Sequence, residues 1–206
     1  MNELPLNKST TIKCANWLEI NFSTQIQKAI KDTPFTENLI YAIALQETAY
    51  KWHLWIDDYI PSIILERCVF DASGDMAETS RSAFPQNLAS FRAKYDEEFI
   101  SMLIEEGNLQ RAMPQVGNSN GWKPSFTLLY KGYGIFQYDL QAVVTDESFF
   151  REKKWYSFED CLDRCLKELH SKYKGNLHDT IKHYNGSGAA AENYAKNVEQ
   201  FIDWIV

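Results

Sequence analysis

The fold of this chain is decided by the stretch Leu39-Ile40-Tyr41-Ala42-Ile43-Ala44-Leu45-Gln46-Glu47-Thr48-Ala49. Its apolar run leaves no polar side for water, so a helix over 38–49 is expected to lie at the centre of a domain. Thr36 is placed to cap the start of this helix, with Glu37 in its first turn. We therefore expect a mainly α protein built around a buried helix that carries Glu47 near its end.

Further helices are predicted wherever apolar residues recur every three or four positions. They cover 16–31, 87–106, 158–173, 177–183 and 189–205. Ser157 fits an N-cap, and Gly107 fits the left-handed cap that often ends a helix. Short strands are expected only over 63–70 and 125–130. Because no repeat or low-complexity linker interrupts the chain, we predict a single domain over 1–206, with a helical extension over 1–35 and a core over 36–206.

Composition excludes several classes of function. The chain has 206 residues and a formal net charge of −7, which argues against a general nucleic-acid binder because phosphate contacts need a basic face. Its longest apolar run is far shorter than a bilayer requires, so membrane insertion is not expected. The N-terminus shows no signal-peptide pattern, and the protein is expected to stay in the cytosol unless a dedicated apparatus exports it or lysis releases it.

In a chain of this length the four cysteines do not form a dense disulfide framework. Cys161 and Cys165 are spaced four apart on a predicted helix, which fits either a metal pair or two small apolar residues on a buried stripe. The sequence favours the buried stripe, because no second Cys/His pair has zinc-ligand spacing. The histidines form no ligand or triad pattern, and we expect neither a metal nor an organic cofactor.

Glu47 is the most informative residue. A carboxyl group held against apolar walls loses solvation in its charged form, so its pKa should rise. A raised pKa is what a general acid needs to deliver a proton near neutral pH. The alternative is a solvated glutamate at a helix end, or one that pairs with Lys51 four residues on.

Three segments, in the same order, resemble motifs of goose-type lysozymes and lytic transglycosylases. The catalytic-Glu helix of these families is similar to Ile43-Ala44-Leu45-Gln46-Glu47-Thr48-Ala49-Tyr50. Their Gly-Leu-Met/Phe-Gln segment is similar to Gly132-Tyr133-Gly134-Ile135-Phe136-Gln137-Tyr138. Their Tyr-Asn-x-Gly motif is similar to His183-Tyr184-Asn185-Gly186-Ser187-Gly188-Ala189. A fourth segment, Ile63-Ile64-Leu65-Glu66-Arg67-Cys68-Val69-Phe70, resembles a stretch of phage-type N-acetylmuramidases, with Cys68 where that family has His.

The resemblance implies a lysozyme-like (α+β) fold with a small irregular or β region and a cleft beside the Glu47 helix. It implies a muramidase that cleaves the β-1,4 bond between N-acetylmuramic acid and N-acetylglucosamine in bacterial peptidoglycan. Glu47 would be the proton donor. Glu66 is the leading second carboxylate, with Asp57, Asp58 and Asp71 as other candidates. The alternative for Glu66 is an internal salt bridge with Arg67 or another cation.

The same resemblance suggests substrate-binding residues, each with a structural alternative. Gln137 would hydrogen-bond an acetamido group or a catalytic water, or else satisfy backbone groups in its Gly-rich turn. Tyr138 and Tyr184 would contact the cleaved bond or a sugar face, or else pack in the interior. Asn185 would bind substrate, or else only form the turn that its glycine neighbours imply.

Other functions stay open at this point. A lytic transglycosylase needs only one carboxylate and forms 1,6-anhydro ends, and a non-catalytic wall-binding protein would keep the fold without the chemistry. A chitosanase-type fold is a further alternative, although the 132–138 segment speaks against it. The expected partners are peptidoglycan strands and, for an effector injected into bacteria, a cognate immunity protein. Release as a phage-type lysin is the other expected route to the cell wall.

Overall fold

The computed structural model describes residues 4–71, 88–115 and 129–205. The protein is mainly helical with a small three-stranded sheet, which confirms the mainly α prediction. The chain divides into two compact units, of which the first comprises Met1–His53 with Leu162–Val206 and the second comprises Leu54–Cys161. Across the described ranges, no helix combines the length and apolar character needed to cross a bilayer.

The first unit is helical throughout. It contains α1 (Lys8–Ile30), α2 (Glu37–Ala44), a π-helical turn (Leu45–Ala49), α3 (Tyr50–Trp52), most of α8 (Phe158–Lys172), α9 (Leu177–Tyr184) and α10 (Gly188–Ile205). The helix α1 starts earlier than predicted because Asn7 caps it, its side-chain oxygen accepting a hydrogen bond of 2.9 Å from the Thr10 amide.

The helix α2 lies at the centre of this unit, as the sequence predicts. It packs against both α1 and α10, and its Leu39, Ile40 and Ile43 side chains are fully buried. Thr36 caps its start, with the hydroxyl oxygen accepting a hydrogen bond of 3.3 Å from the Leu39 amide. Burying every side of this short helix fixes the position of the turn that follows it.

The second unit combines short helices with the sheet. It contains α4 (Pro61–Glu66), β1 (Val69–Phe70), α5 (Leu88–Arg92), α6 (Glu97–Arg111), β2 (Gly132–Tyr133), β3 (Tyr138–Asp139), α7 (Glu147–Arg151) and two 3-10 turns (Leu140–Val144 and Lys154–Tyr156). The strands are antiparallel in the order β1-β2-β3, with Val69 opposite Tyr133 and Tyr133 opposite Tyr138.

The single helix predicted over 87–106 is wrong in two respects. Residues 93–96 interrupt it, and Asp96 starts α6 by accepting a hydrogen bond of 2.9 Å from the Phe99 amide. Gly107 does not end α6 but lies within it, facing the ring of Tyr130. A Cβ atom at that position would come within 2.4 Å of the ring, so glycine is needed there for close packing.

The predicted strand over 63–70 is mostly helix. Pro61 occupies the first turn of α4, where its missing amide hydrogen costs nothing, and only Val69–Phe70 is extended. Of the strand predicted over 125–130, residues 125–128 lie outside the described residues, and residues 129–130 are not in a strand. The hairpin of β2 and β3 falls instead in the glycine-rich segment, where no strand was predicted.

Candidate functional site

Glu47 lies in the middle of the π-helical turn that follows α2. A π-helical turn holds more residues per turn than an α-helix, which changes the direction of its side chains and is frequent at functional sites. The next residue, Thr48, anchors this turn. Its buried hydroxyl donates to the Ala44 carbonyl over 3.2 Å and accepts a hydrogen bond of 2.8 Å from the indole nitrogen of Trp52. The local geometry of Glu47 is therefore held by buried side chains.

Glu47 is a half-buried residue whose carboxyl group is strongly desolvated. The residue is neither fully buried nor exposed, yet the protein around it raises the pKa of its carboxyl to about 7. The cause is loss of hydration of the charged form, opposed by one hydrogen bond that favours the carboxylate. Tyr194 donates that bond to Oε1 over 2.6 Å, and no pairing with Lys51 accounts for the shift.

Two tyrosines of the first unit form one cluster with Glu47. The ring of Tyr184, at the end of α9, stacks on that of Tyr194 in α10, with centroids 6.2 Å apart and planes inclined by 27°. A hydrogen bond links the Tyr184 hydroxyl to the thiol of Cys165. Burial raises the pKa of both tyrosine hydroxyls, so both keep their protons near neutral pH. Glu47 and Tyr184, two residues predicted for the site, thus belong to the same cluster.

Tyr194 is the residue of this cluster that sequence reasoning missed. It belongs to the apolar stripe of the last predicted helix, and a tyrosine at such a position is usually an ordinary core residue. Tyr194 is indeed buried, with 6% of its surface exposed. The available signal was a buried hydroxyl that needs a partner, in the helix directly after the Tyr-Asn-x-Gly segment. Nothing in the sequence identifies Glu47 as that partner, because the two residues lie 147 positions apart.

In the second unit, the sheet joins two of the segments that carry the resemblance. The strand β1 belongs to the 63–70 segment, and β2 and β3 begin and end the hairpin of the 132–138 segment. The side-chain amide of Gln137 turns back into this hairpin, donating to the carbonyls of Gly134 over 2.8 Å and Cys68 over 3.4 Å. Its oxygen lies so close to Gly132 that a Cβ atom there would come within 2.2 Å of it. Gln137 therefore satisfies backbone groups, and its role in substrate binding stays a prediction.

Glu66 forms an ion pair and Tyr138 packs against other rings, which are the structural contacts given above as alternatives to their functional roles. A carboxylate oxygen of Glu66 lies 3.4 Å from the guanidinium of Arg67, and 26% of the Glu66 side chain is exposed. The ring of Tyr138 stacks on Phe150 at 5.8 Å and meets the edge of Phe149 at 5.0 Å. These contacts do not test a catalytic role for Glu66 or a sugar contact for Tyr138.

The remaining candidate residues are carboxylates and an asparagine that are exposed to solvent, and two cysteines that are buried. The alternative carboxylates, Asp57, Asp58 and Asp71, are all exposed, and so is Asn185, which ends α9. Cys161 and Cys165 are each 2% exposed, as the buried-stripe interpretation predicts. Within residues 4–71, 88–115 and 129–205, no three or more acidic, histidine or cysteine side chains gather in a way that would hold a metal ion.

The candidate site is therefore the cluster of Glu47, Tyr194, Tyr184 and Cys165. Its chemical capacity is that of a proton donor: a carboxyl group half protonated near pH 7, next to a phenol that stabilises the carboxylate left after proton transfer. Compared with known proteins, the chain matches no family model, no curated protein and no solved structure.

Proposed function

We propose that this protein is a peptidoglycan hydrolase of the muramidase type, with Glu47 as its general acid. The observation that carries the proposal is the carboxyl of a half-buried glutamate whose pKa is raised to about 7. At pH 7 a glutamate of ordinary pKa holds a proton less than about 1% of the time, whereas Glu47 holds one about half of the time. Cleaving a glycosidic bond requires such a proton on the leaving oxygen.

The tyrosine cluster supports this role through electrostatics. When Glu47 gives its proton to the leaving oxygen, the carboxylate that remains accepts the hydrogen bond from Tyr194. Because that bond favours the charged form, it makes the proton easier to release, while burial keeps the proton bound until substrate arrives. The two effects together hold the acid near the pH at which it works.

The order of the motif segments supports a lysozyme-like fold. The Glu47 turn and the Tyr184 segment contribute to the cluster in the first unit, and the 63–70 and 132–138 segments form the sheet in the second. We propose that peptidoglycan strands are the substrate and that the protein acts on the cell wall after release or delivery. An immunity protein would be its partner if it is an injected effector.

The test is the release of soluble fragments from purified, dye-labelled peptidoglycan. Glu47→Gln keeps the shape of the side chain but has no proton to donate, so we expect the cleavage rate to fall by about a hundredfold or more. Glu98→Gln is the matched control, because it removes an exposed glutamate from α6. The wild-type rate should also fall above pH 7. If the wild type releases nothing, or if Glu47→Gln cleaves as fast as the wild type, the proposed acid role is wrong.

A lytic transglycosylase is the second candidate, and one observation favours it. Burial and the bond from Tyr194 are the causes of the Glu47 pKa shift, and no second carboxylate is among them. A transglycosylase needs one carboxyl only, because the 6-hydroxyl of the sugar closes onto its own anomeric carbon. Mass spectrometry of the products separates the two activities, since hydrolysis leaves reducing ends and transglycosylation leaves 1,6-anhydro ends. A Glu66→Gln variant adds to the test, because a hydrolase that uses Glu66 should lose activity in it.

A further inference from the structure

An ion-pair network joins α9 to α10 in the first unit. The imidazole of His178 in α9 lies between two carboxylates of α10, with Nδ1 2.8 Å from Glu199 and Nε2 3.5 Å from Glu192. Lys182, one turn further along α9, reaches the same Glu192 over 3.0 Å. Glu192 and Glu199 are seven positions apart, so they lie on one face of α10, two turns from each other. The network therefore ties α9 to two successive turns of α10.

The two contacts of His178 favour a protonated ring. A neutral imidazole has one N–H group, and its other nitrogen carries a lone pair that a carboxylate repels. The hydrogen bond to Glu199, followed by the charges of both glutamates, accordingly raises the pKa of His178. Lys182 above all holds the pKa of Glu192 at about 2, and Lys196 of α10 lies 3.4 Å from its other oxygen. The group of this network that changes charge near neutral pH is therefore His178.

The helix α9 has little apolar anchorage and carries a residue of the candidate site. Of its eight residues, all of which the structure describes, Thr180 and Ile181 are the two that are buried. A helix with so few buried contacts opens locally at low cost, so its ion pairs affect how often it opens. Tyr184, the last residue of α9, stacks on Tyr194 of α10, which donates to the Glu47 carboxyl over 2.6 Å. The placement of α9 on α10 therefore acts on the hydrogen-bond partner of Glu47.

We propose that His178 is a positioning residue for Glu47: its imidazolium fastens α9 to α10 and so keeps Tyr184 stacked on Tyr194. When pH rises, the ring loses its charge and the network keeps only the pairs made by lysines. Because the pKa of His178 is raised from about 6.5, the stabilisation is complete below about pH 6.5 and is lost as pH rises through the higher value of the folded chain. The consequence for catalysis rests on the proposed function, whereas the fastening of the helix does not.

Amide hydrogen exchange of α9 in the full-length protein tests the fastening. His178→Gln removes the charge, and His178→Lys supplies a cation that does not titrate between pH 6 and 8.5. At pH 6 we expect the α9 amides to be about two- to fivefold less protected in His178→Gln than in the wild type, as for a partly exposed ion pair. The difference should vanish at pH 8.5, whereas His178→Lys should keep its protection. His183→Gln, which removes an exposed histidine of the same helix, is the control and should behave like the wild type.

NMR of the tyrosine rings tests the link to the candidate site. The titration of Glu47 itself is removed by working with Glu47→Gln. We expect the ring resonances of Tyr184 and Tyr194 to shift with the pH midpoint of the His178 ring, and to stay unshifted once His178→Lys is added. Rings that do not follow this midpoint would overturn the proposal, as would equal α9 protection in the wild type and His178→Gln at pH 6. Neither measurement uses peptidoglycan, so failure here is distinct from failure of the proposed acid role.

Discussion

Glu47→Gln should make the protein more stable, and by more at high pH than at low pH. The pKa of the Glu47 carboxyl is about 7 in the folded chain, against 4.5 for a glutamate in the unfolded chain. Between these values the folded chain holds a proton that the unfolded chain has already released, so stability falls as pH rises. The loss is absent below pH 4.5 and complete above pH 7, where it amounts to about 3 kcal/mol. Glutamine has no charge to desolvate and avoids this loss.

Urea unfolding of the wild type and Glu47→Gln at pH 5, 6, 7 and 8 measures this effect. The difference in unfolding free energy should grow by about 2 to 3 kcal/mol between pH 5 and pH 8, with a slope of at most about 1.4 kcal/mol per pH unit. Glu98→Gln, which removes an exposed carboxyl, should follow the pH dependence of the wild type. A difference between the wild type and Glu47→Gln that stays constant with pH would refute the raised pKa, whatever the enzyme assays show.

Two further predictions concern hydrogen-bonded carboxylates in the two units. Tyr194→Phe removes the bond that favours the charged form of Glu47, so the pKa of that carboxyl should rise above about 7 by roughly one unit, measured by NMR titration of the side-chain carbon. An unchanged or lowered pKa would contradict the assignment. Lys153→Met leaves the buried carboxylate of Glu106 without the ammonium 2.6 Å away and should cost about 3 kcal/mol in urea unfolding. Lys154→Met, at a more exposed pair, should cost less than about 1 kcal/mol.

The sequence predicts the centre of the first unit well because that part depends on local signals. The all-apolar helix, its Thr36 cap and the raised pKa of Glu47 all follow from residues within one stretch of chain. The helices α8, α9 and α10 are also predicted, to within about one residue at their ends. The predicted start of a helix is wrong where a single capping side chain sets it, as Asn7 does for α1 and Asp96 does for α6.

The sequence predicts the second unit less well because its elements are short and are set by contacts distant in sequence. The strands are two residues long, too short for an alternating pattern to show, and they exist because β2 pairs with both β1 and β3. The sequence predicts that Gly107 ends a helix, because its contact with Tyr130 cannot be recognised from the neighbouring residues. Tyr194 is missed for the same reason, since its partner lies on another helix.

The fold itself offers no reason for a carboxyl at position 47. The π-helical turn is anchored by Thr48 and Trp52, and neither contact uses the Glu47 side chain. The bond from Tyr194 lowers the pKa of Glu47 but leaves it at about 7, so burial outweighs the bond and a net cost to stability remains. An uncharged side chain of the same shape would avoid that cost. A residue that destabilises its own fold near neutral pH, in a turn held by its neighbours and open in part to solvent, fits a selective advantage in chemistry rather than in packing.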